Sequence, residues 1–299
     1  DTFAEEHQVS RVYEDYNDML KREDLDIVSV CLWIALHAPA VNDIADSGVR
    51  AIHCEKPMAP TFGEARSMVE VCSTRGVQLT FNHQRRFGGT YREARALAHS
   101  GAIGELIRLE GYCTDIIDWG THWVDMMFFY NDEAPADWVM GQIDAREEKS
   151  IFGLPLESQA IGSIQWKNGV QGLLETGTSA RRCLNRILGS EGVIEVGVTD
   201  GPALRYLGPG TNGWIIPEID SGLHGSDLIT DGILDLVDAL GADREPELDA
   251  KKALQATEVI FAIYESSRRR ARIDLPLTID DSPFLDMLER GEIGPGRTD

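Results

Sequence analysis

Ile27-Val28-Ser29-Val30-Cys31-Leu32 and, further on, Arg50-Ala51-Ile52-His53-Cys54-Glu55-Lys56-Pro57 are the stretches on which the fold turns. The first is a short, nearly continuous apolar run, the pattern of a strand buried on both faces. A helical stretch follows from about His37 to Asp46 and stops at Gly48. The second quoted stretch reads as the next strand, ending on a charged pair and a proline. Thr61-Phe62-Gly63-Glu64 has the spacing of a capping box. Ala65, Met68, Val69 and Cys72 then recur at helical spacing, which predicts one buried face. Gly76 stands where a left-handed C-terminal cap belongs. Val77 to Phe81 predicts a third strand. Helices alternating with buried strands imply right-handed crossovers and a parallel sheet.

Upstream, Asp1-Thr2-Phe3-Ala4-Glu5-Glu6 reads as a helix already under way, and Asn17–Glu23 as a second. A dinucleotide-binding sheet opens with strand, Gly-x-Gly-x-x-Gly, then helix, so that pyrophosphate meets a helix N-terminus. No such element precedes Ile27. The one literal match, Gly208-Pro209-Gly210-Thr211-Asn212-Gly213, runs into strand-like Trp214-Ile215-Ile216-Pro217 and reads as a hairpin loop. The expectation is a fragment of a longer chain, because a parallel sheet lacking its first strands exposes an apolar edge.

Downstream the pattern changes after about residue 88. A helix from Thr90 to His99 leads to strand-like runs at Leu106–Cys113, Trp138–Ile143, Ala160–Trp166, Gln171–Thr176 and Gly192–Val198. Turn signals such as Lys167-Asn168-Gly169 separate them, which predicts a mostly antiparallel sheet. Two helices close the chain. One carries an apolar stripe of Ile229, Ile233, Leu236, Val237 and Leu240 ended by Gly241, the other Ala253, Ala256, Ile260 and Ile263. The expected fold class is α/β: a partial parallel sheet over residues 1–88, then an α+β unit with a large, open, mostly antiparallel sheet over residues 89–299.

The 299 residues are 42% hydrophobic, a globular composition. No apolar run approaches the roughly 20 residues needed to cross a bilayer, and the acidic N-terminus lacks the order of a signal peptide. Cys31, Cys54, Cys72, Cys113 and Cys183 show no Cys-x-x-Cys spacing, so reduced thiols in a cytoplasm fit better than disulfides or a zinc site. Cys31 and Cys54 read as small core residues. No metal ligation is expected. A net charge of −22 repels phosphate backbones and argues against nucleic-acid binding.

Three clusters carry candidate chemistry. Glu55-Lys56-Pro57 follows the second strand, and ligands of open α/β sheets bind at strand carboxyl ends. There a lysine can hold a substrate hydroxyl and, with burial, take part in proton transfer. A surface Glu-Lys pair is the plainer reading of the same residues. In Asp118-Trp119-Gly120-Thr121-His122, the aspartate and histidine fall one turn apart on a helix face. Oxidising a secondary alcohol needs a base for the hydroxyl proton, and histidine titrates in the right range; a helix cap beside a satisfied histidine has the same spacing. Asn82-His83-Gln84-Arg85-Arg86-Phe87 ends the third strand, either at a ligand or at a domain junction tied by arginine.

Together these residues resemble the Gfo/Idh/MocA oxidoreductases, which include glucose–fructose oxidoreductase and inositol dehydrogenase. Leu32-Trp33-Ile34-Ala35-Leu36-His37 is similar to a strand-end segment of that family, with Trp33 where proline is usual. Glu55-Lys56-Pro57 resembles its hallmark motif, and Gly101-Ala102-Ile103-Gly104-Glu105-Leu106 the phrase opening its second domain. Asp118 and His122 resemble its Asp-x-x-x-His pair, and Ala262-Ile263-Tyr264-Glu265-Ser266-Ser267 its last helix. The resemblance implies NAD or NADP and hydride transfer at a secondary alcohol of a sugar, inositol or sugar acid. It implies Lys56 and His122 as catalytic residues with Asp118 in support. Leu32, Trp33, Ile34, His37, Glu55, Lys56 and Pro57 would bind cofactor, and Asn82, Arg86 and Trp119 substrate. A homo-oligomer, dimer or tetramer, through the open sheet face is also implied. An NAD-dependent glycoside hydrolase and a non-catalytic binding or regulatory relative are the competing readings.

The acidity itself fits two settings, a high-salt habitat or an ordinary acidic protein. Unfolding in dilute and in molar KCl separates them. Screening of self-repulsion should raise stability in molar salt if the first holds, and equal stability leaves the second.

Overall fold

Residues 2–177, 183–219, 222–225 and 227–295 are described by the structure, a computed structural model. Two short helices, α1 (Thr2–Glu6) and α2 (Tyr16–Arg22), come first. Asp1, expected in the first helix, lies outside the described residues. There follow β1 (Ile27–Val30), α3 (His37–Ala45), β2 (Ala51–Cys54), α4 (Phe62–Arg75) and β3 (Gln78–Phe81). The strands pair in parallel in the order β1-β2-β3, with Val30 opposite Cys54 and Cys54 opposite Phe81. All three therefore end at one edge. The α4 helix starts where the capping box places it: Thr61 Oγ1 accepts from the Glu64 N–H, and Gly76 closes the helix at φ +69°.

The chain then changes architecture through α5 (Gly89–His99), β4 (Leu106–Cys113), α6 (Thr121–Tyr130), β5 (Ala136–Asp144) and the small hairpin β6 (Ser150–Ile151) with β7 (Leu154–Pro155). After these come β8 (Gln159–Trp166), β9 (Gln171–Thr176), β10 (Asn185–Gly189), β11 (Val193–Val196) and β12 (Leu204–Leu207). Last are α7 (Asp227–Ala242), α8 (Ala250–Arg269), β13 (Ile273–Asp274) and α9 (Pro283–Glu289). Eight strands form one sheet in the order β12-β11-β10-β4-β9-β8-β5-β13. Among the described residues only the central β4–β9 pair of this sheet is parallel. Its inner face packs on α6 and α8, with Leu109, Val139, Ile164, Leu174 and Ile187 in the core. Gly141 lets α8 close in, since a Cβ there would lie 2.7 Å from Ile263 Cγ2. The start of α8 returns to the parallel sheet: Ala250 and Ala253 join its core, and Asp249 bridges to Thr80.

Several expectations are corrected. Among the described residues β1 is the edge of its sheet, so Ser29 and Cys31 are exposed rather than buried on both faces. Cys31 is thus no core residue, whereas Cys54 is fully buried. The stripe on α7 is only partly the packed face: Leu236 is buried and Ile233 and Leu240 are half-buried, but Ile229 and Val237 stand exposed while Gly232 and Ala239 are buried, and the helix passes through Gly241. Strands β10, β12 and β13 had no expectation. The glycine-rich stretch at Gly208 joins β12 to an isolated bridge between Tyr206 and Ile215, a hairpin as expected.

The largest correction concerns Arg86, expected against substrate. It is fully buried under the junction of the two sheets and holds Asp125 through Nε and Nη2, at 2.9 and 2.7 Å. Its Nη1 donates to Glu133 at 2.6 Å and Glu247 at 3.1 Å. Burial alone would raise the Asp125 carboxyl, but the Arg86 guanidinium and His83 outweigh it and hold it below the usual carboxylate range. Arg86→Ala leaves Asp125 buried without its counter-charge. We expect a loss of about 3–5 kcal/mol, read from urea unfolding.

Candidate active site

The carboxyl ends of β1, β2 and β3 face the turn that leads into α6. Lys56, just beyond β2, makes an ion pair with Asp118 Oδ1 and also donates to the Asp118 carbonyl at 3.3 Å. The lysine side chain is 19% exposed and the aspartate 5%, so the pair sits in the mouth of the crevice with its carboxylate on the inside. The Lys56–Pro57 peptide bond is cis. Asn82, from the end of β3, donates through Nδ2 to Glu55 at 2.8 Å, while its Oδ1 is buried without a partner.

Asp118 rides on a π-helical turn, Ile116–Gly120, that runs directly into α6. That turn is capped from two sides. Asp115 accepts from the N–H groups of Asp118 and Trp119 at 2.8 and 3.1 Å, and the buried Glu157 accepts from the N–H of Ile116. His122 follows in the first turn of α6 and is buried. Its ring lies 5.6 Å from that of His83, which reaches Thr121 Oγ1 at 3.1 Å and Asp125 at 3.2 Å. Burial lowers the His122 pKa well below the ordinary value, and the nearby charges of Arg85, His83, Lys56 and His224 lower it further. The imidazole is therefore neutral near pH 7, the form that accepts a proton. Its Nδ1 is buried without a hydrogen-bond partner.

The other expected residues divide. Leu32 and Trp33 are exposed at the edge of the crevice, with Trp33 at 61%, and Leu36 stands beside them. Ile34 is buried, so its side chain belongs to the core. His37 is buried as well: Nδ1 lies 2.9 Å from the Pro57 carbonyl and Nε2 3.0 Å from the Leu32 carbonyl. Expected against cofactor, it instead ties the Lys56 loop to the β1 loop. Trp119 is partly exposed and lies under the guanidinium of Arg85, 5.7 Å from its ring centre. Asp115 and Glu157 were not singled out from sequence, and His83 and Arg85 only as members of the cluster that ends the third strand. Arg85 and Arg86 are consecutive, and spacing cannot say which one turns inward to the acids.

Residues 1–83 match the sequence profile of the oxidoreductase family with an NAD-binding Rossmann fold. D-xylose 1-dehydrogenase [NADP(+)] of Haloarcula marismortui is 25% identical over 303 residues, 92% of this chain and 81% of that protein. An uncharacterised oxidoreductase of Schizosaccharomyces pombe is 28% identical over 102 residues, 34% of this chain and 27% of that one. This chain thus spans about a quarter of the yeast protein in that match. The crystal structure of aldose-aldose oxidoreductase from Caulobacter crescentus shares the fold at TM-score 0.77 and 20% identity, covering 92% of this chain and 88% of that one. The shared fold is a Rossmann-type parallel sheet followed by a large, mostly antiparallel sheet. Over residues 1–83 the chain is thus similar to the Gfo/Idh/MocA oxidoreductases.

Glu157 supplies a pH signature for the turn that carries Asp118. Burial raises its pKa to about 7, against the pull of the Ile116 N–H and the Tyr264 hydroxyl. The folded state then keeps a proton that the unfolded state loses above about pH 4.3. Stability should be full below that pH, fall as pH rises, and level off past about 7. Glu157→Gln should flatten that slope and recover roughly 3 kcal/mol at pH 8, measured by urea unfolding across pH.

Proposed function

We propose that this chain catalyses nicotinamide-dependent hydride transfer at a secondary alcohol of a sugar, inositol or sugar acid, using NAD or NADP. The observation that carries the reading is the Lys56–Asp118 ion pair in the crevice, with His122 within electrostatic reach of the same lysine. The xylose dehydrogenase relative and the family's NAD-binding fold support it. In this reading residues 1–88 bind cofactor and residues 89–299 bind substrate, in a cytoplasmic protein.

The residues at the crevice fit the nicotinamide end of such a cofactor. The exposed apolar shelf of Leu32, Trp33 and Leu36 is the surface a flat ring and its ribose would cover. Asn82 Oδ1 is a buried acceptor that lacks a donor beside it. Glu55, Lys56 and Pro57 complete that half-site. Among the described residues no glycine-rich strand–turn–helix offers a place for pyrophosphate. When bound, the nicotinamide accepts or returns the hydride.

The side chains of this chain do the rest. Lys56 donates a hydrogen bond to the reacting hydroxyl oxygen and steadies charge as the proton departs. Asp118 holds the ammonium in place. His122, neutral in its buried setting, takes the hydroxyl proton, and Nδ1 is an atom that a substrate group would satisfy. Trp119 forms part of the wall. Assembly through the open face of the large sheet belongs to the same reading, since Met140 and Ile161 stand exposed on its outward side.

Nicotinamide absorbance with a panel of aldoses, inositols and sugar acids, run with both NAD and NADP, tests the reading. Lys56→Met and His122→Asn should each lower kcat by about 100-fold or more, assayed where urea unfolding shows each variant folded, since Lys56→Met leaves Asp118 unpaired and lowers stability. No turnover on any member of the panel, or full activity in both variants, would reject it.

A further inference from the structure

Arg85 and Arg86 are neighbours in one 3-10 turn, Gln84–Phe87, and both are buried. Their surroundings are opposite. Arg86 meets three carboxylates, as described above. Arg85 is 4% exposed, yet its Nε and Nη1 have no hydrogen-bond partner among the described residues. Its guanidinium lies against the faces of Trp123 and Trp119, at 4.7 and 5.7 Å from the ring centres. Those rings hold the fork in one plane and exclude water from its faces. A buried guanidinium with unpaired donors is costly, and such a cost persists where a ligand relieves it.

Arg85 also lines a pocket of about 380 Å³ with Gln84, Leu223, His224, Gly225, Leu228 and Ile229. The buried Oε1 of Gln84 is unpartnered too. Trp123, which lies 4.7 Å under Arg85, has its ring 6.5 Å from that of His122, so the pocket stands close to the proposed base. In a chain of net charge −22, Arg85 has no ion pair among the described residues, although the nearby Asp125 carboxylate favours its charge.

We propose that Arg85 receives an anionic group carried by the substrate, a carboxylate at one end of a sugar acid, and so selects charged over neutral polyols. This deepens the dehydrogenase reading and rests on it for the position of the reacting carbon. A guanidinium offers parallel N–H donors that match the two oxygens of a carboxylate. A single guanidinium balances a monoanion, which favours carboxylate over a phosphate dianion; both share the same anion chemistry. Gln84 would accept from a hydroxyl next to the charged group.

Binding can be measured without turnover. Isothermal titration with D-gluconate, D-glucuronate, myo-inositol and D-glucose-6-phosphate is run on wild type, Arg85→Gln and Arg85→Lys. Wild type should bind the two sugar acids at least tenfold more tightly than myo-inositol. Arg85→Gln should lose at least tenfold on the acids and less than twofold on myo-inositol, and Arg85→Lys should fall between, since an ammonium lacks the fork. Binding of D-glucose-6-phosphate in preference to both acids, lost in Arg85→Gln, would uphold the anion site and overturn its assignment to carboxylate. Equal binding of myo-inositol and the acids, or equal losses on all ligands, would overturn the proposal. Should Arg85→Gln fail to fold, Arg85→Lys carries the comparison. Selective acid binding without turnover would reject the dehydrogenase reading alone; turnover without selectivity would reject only the role of Arg85.

Discussion

One contact between the two halves of the molecule governs the site: the ammonium of Lys56 against the carboxylate of Asp118. The lysine comes from the edge of a parallel sheet and the aspartate from a turn that feeds a helix under a different sheet. A charge on either side, buried to this degree and left alone, would cost several kcal/mol. The pair can form only when both backbones are held still. That demand explains the supports behind it. His37 ties the Pro57 and Leu32 carbonyls together on one side, and Asp115 and Glu157 cap the turn on the other.

The same demand explains the second buried cluster. Arg86 with Asp125, Glu133 and Glu247 links the end of the third parallel strand to α6 and to the chain entering α8. It fixes α6, and α6 carries His122. Charge is thus arranged in two layers. The inner layer is neutralised and structural. Apart from it, Arg85 lines a pocket with two donors unpaired among the described residues.

Much of this was legible in the sequence, for identifiable reasons. The parallel strands announced themselves because strands with a covered face are apolar runs bounded by helices. The capping box at Thr61 and the glycine at Gly76 act over a few residues, so local chemistry decided them. Lys56 was marked by its place after a strand, and Asp118 with His122 by a spacing of one helical turn. The errors have reasons too. Cys31 sits in an apolar run, but it lies on a sheet edge, and edges cannot be seen in one strand. The α7 stripe is regular, yet the face that packs is chosen by the small residues Gly232 and Ala239, which let the helix approach its neighbours. Strands β12 and β13 are too short to show a period.

By itself the sequence determined the order of the elements, the switch from parallel to antiparallel sheet, and the residue types that can move a proton or hold a hydroxyl. Those follow from neighbours along the chain, where spacing and side-chain chemistry are visible. Tertiary structure alone decided that Lys56 meets Asp118 across 62 positions, and that Arg86 is spent on carboxylates while Arg85 is left with free donors. The physical reason is that desolvation and pairing of charge depend on what arrives from distant parts of the chain, and two adjacent arginines share every local property.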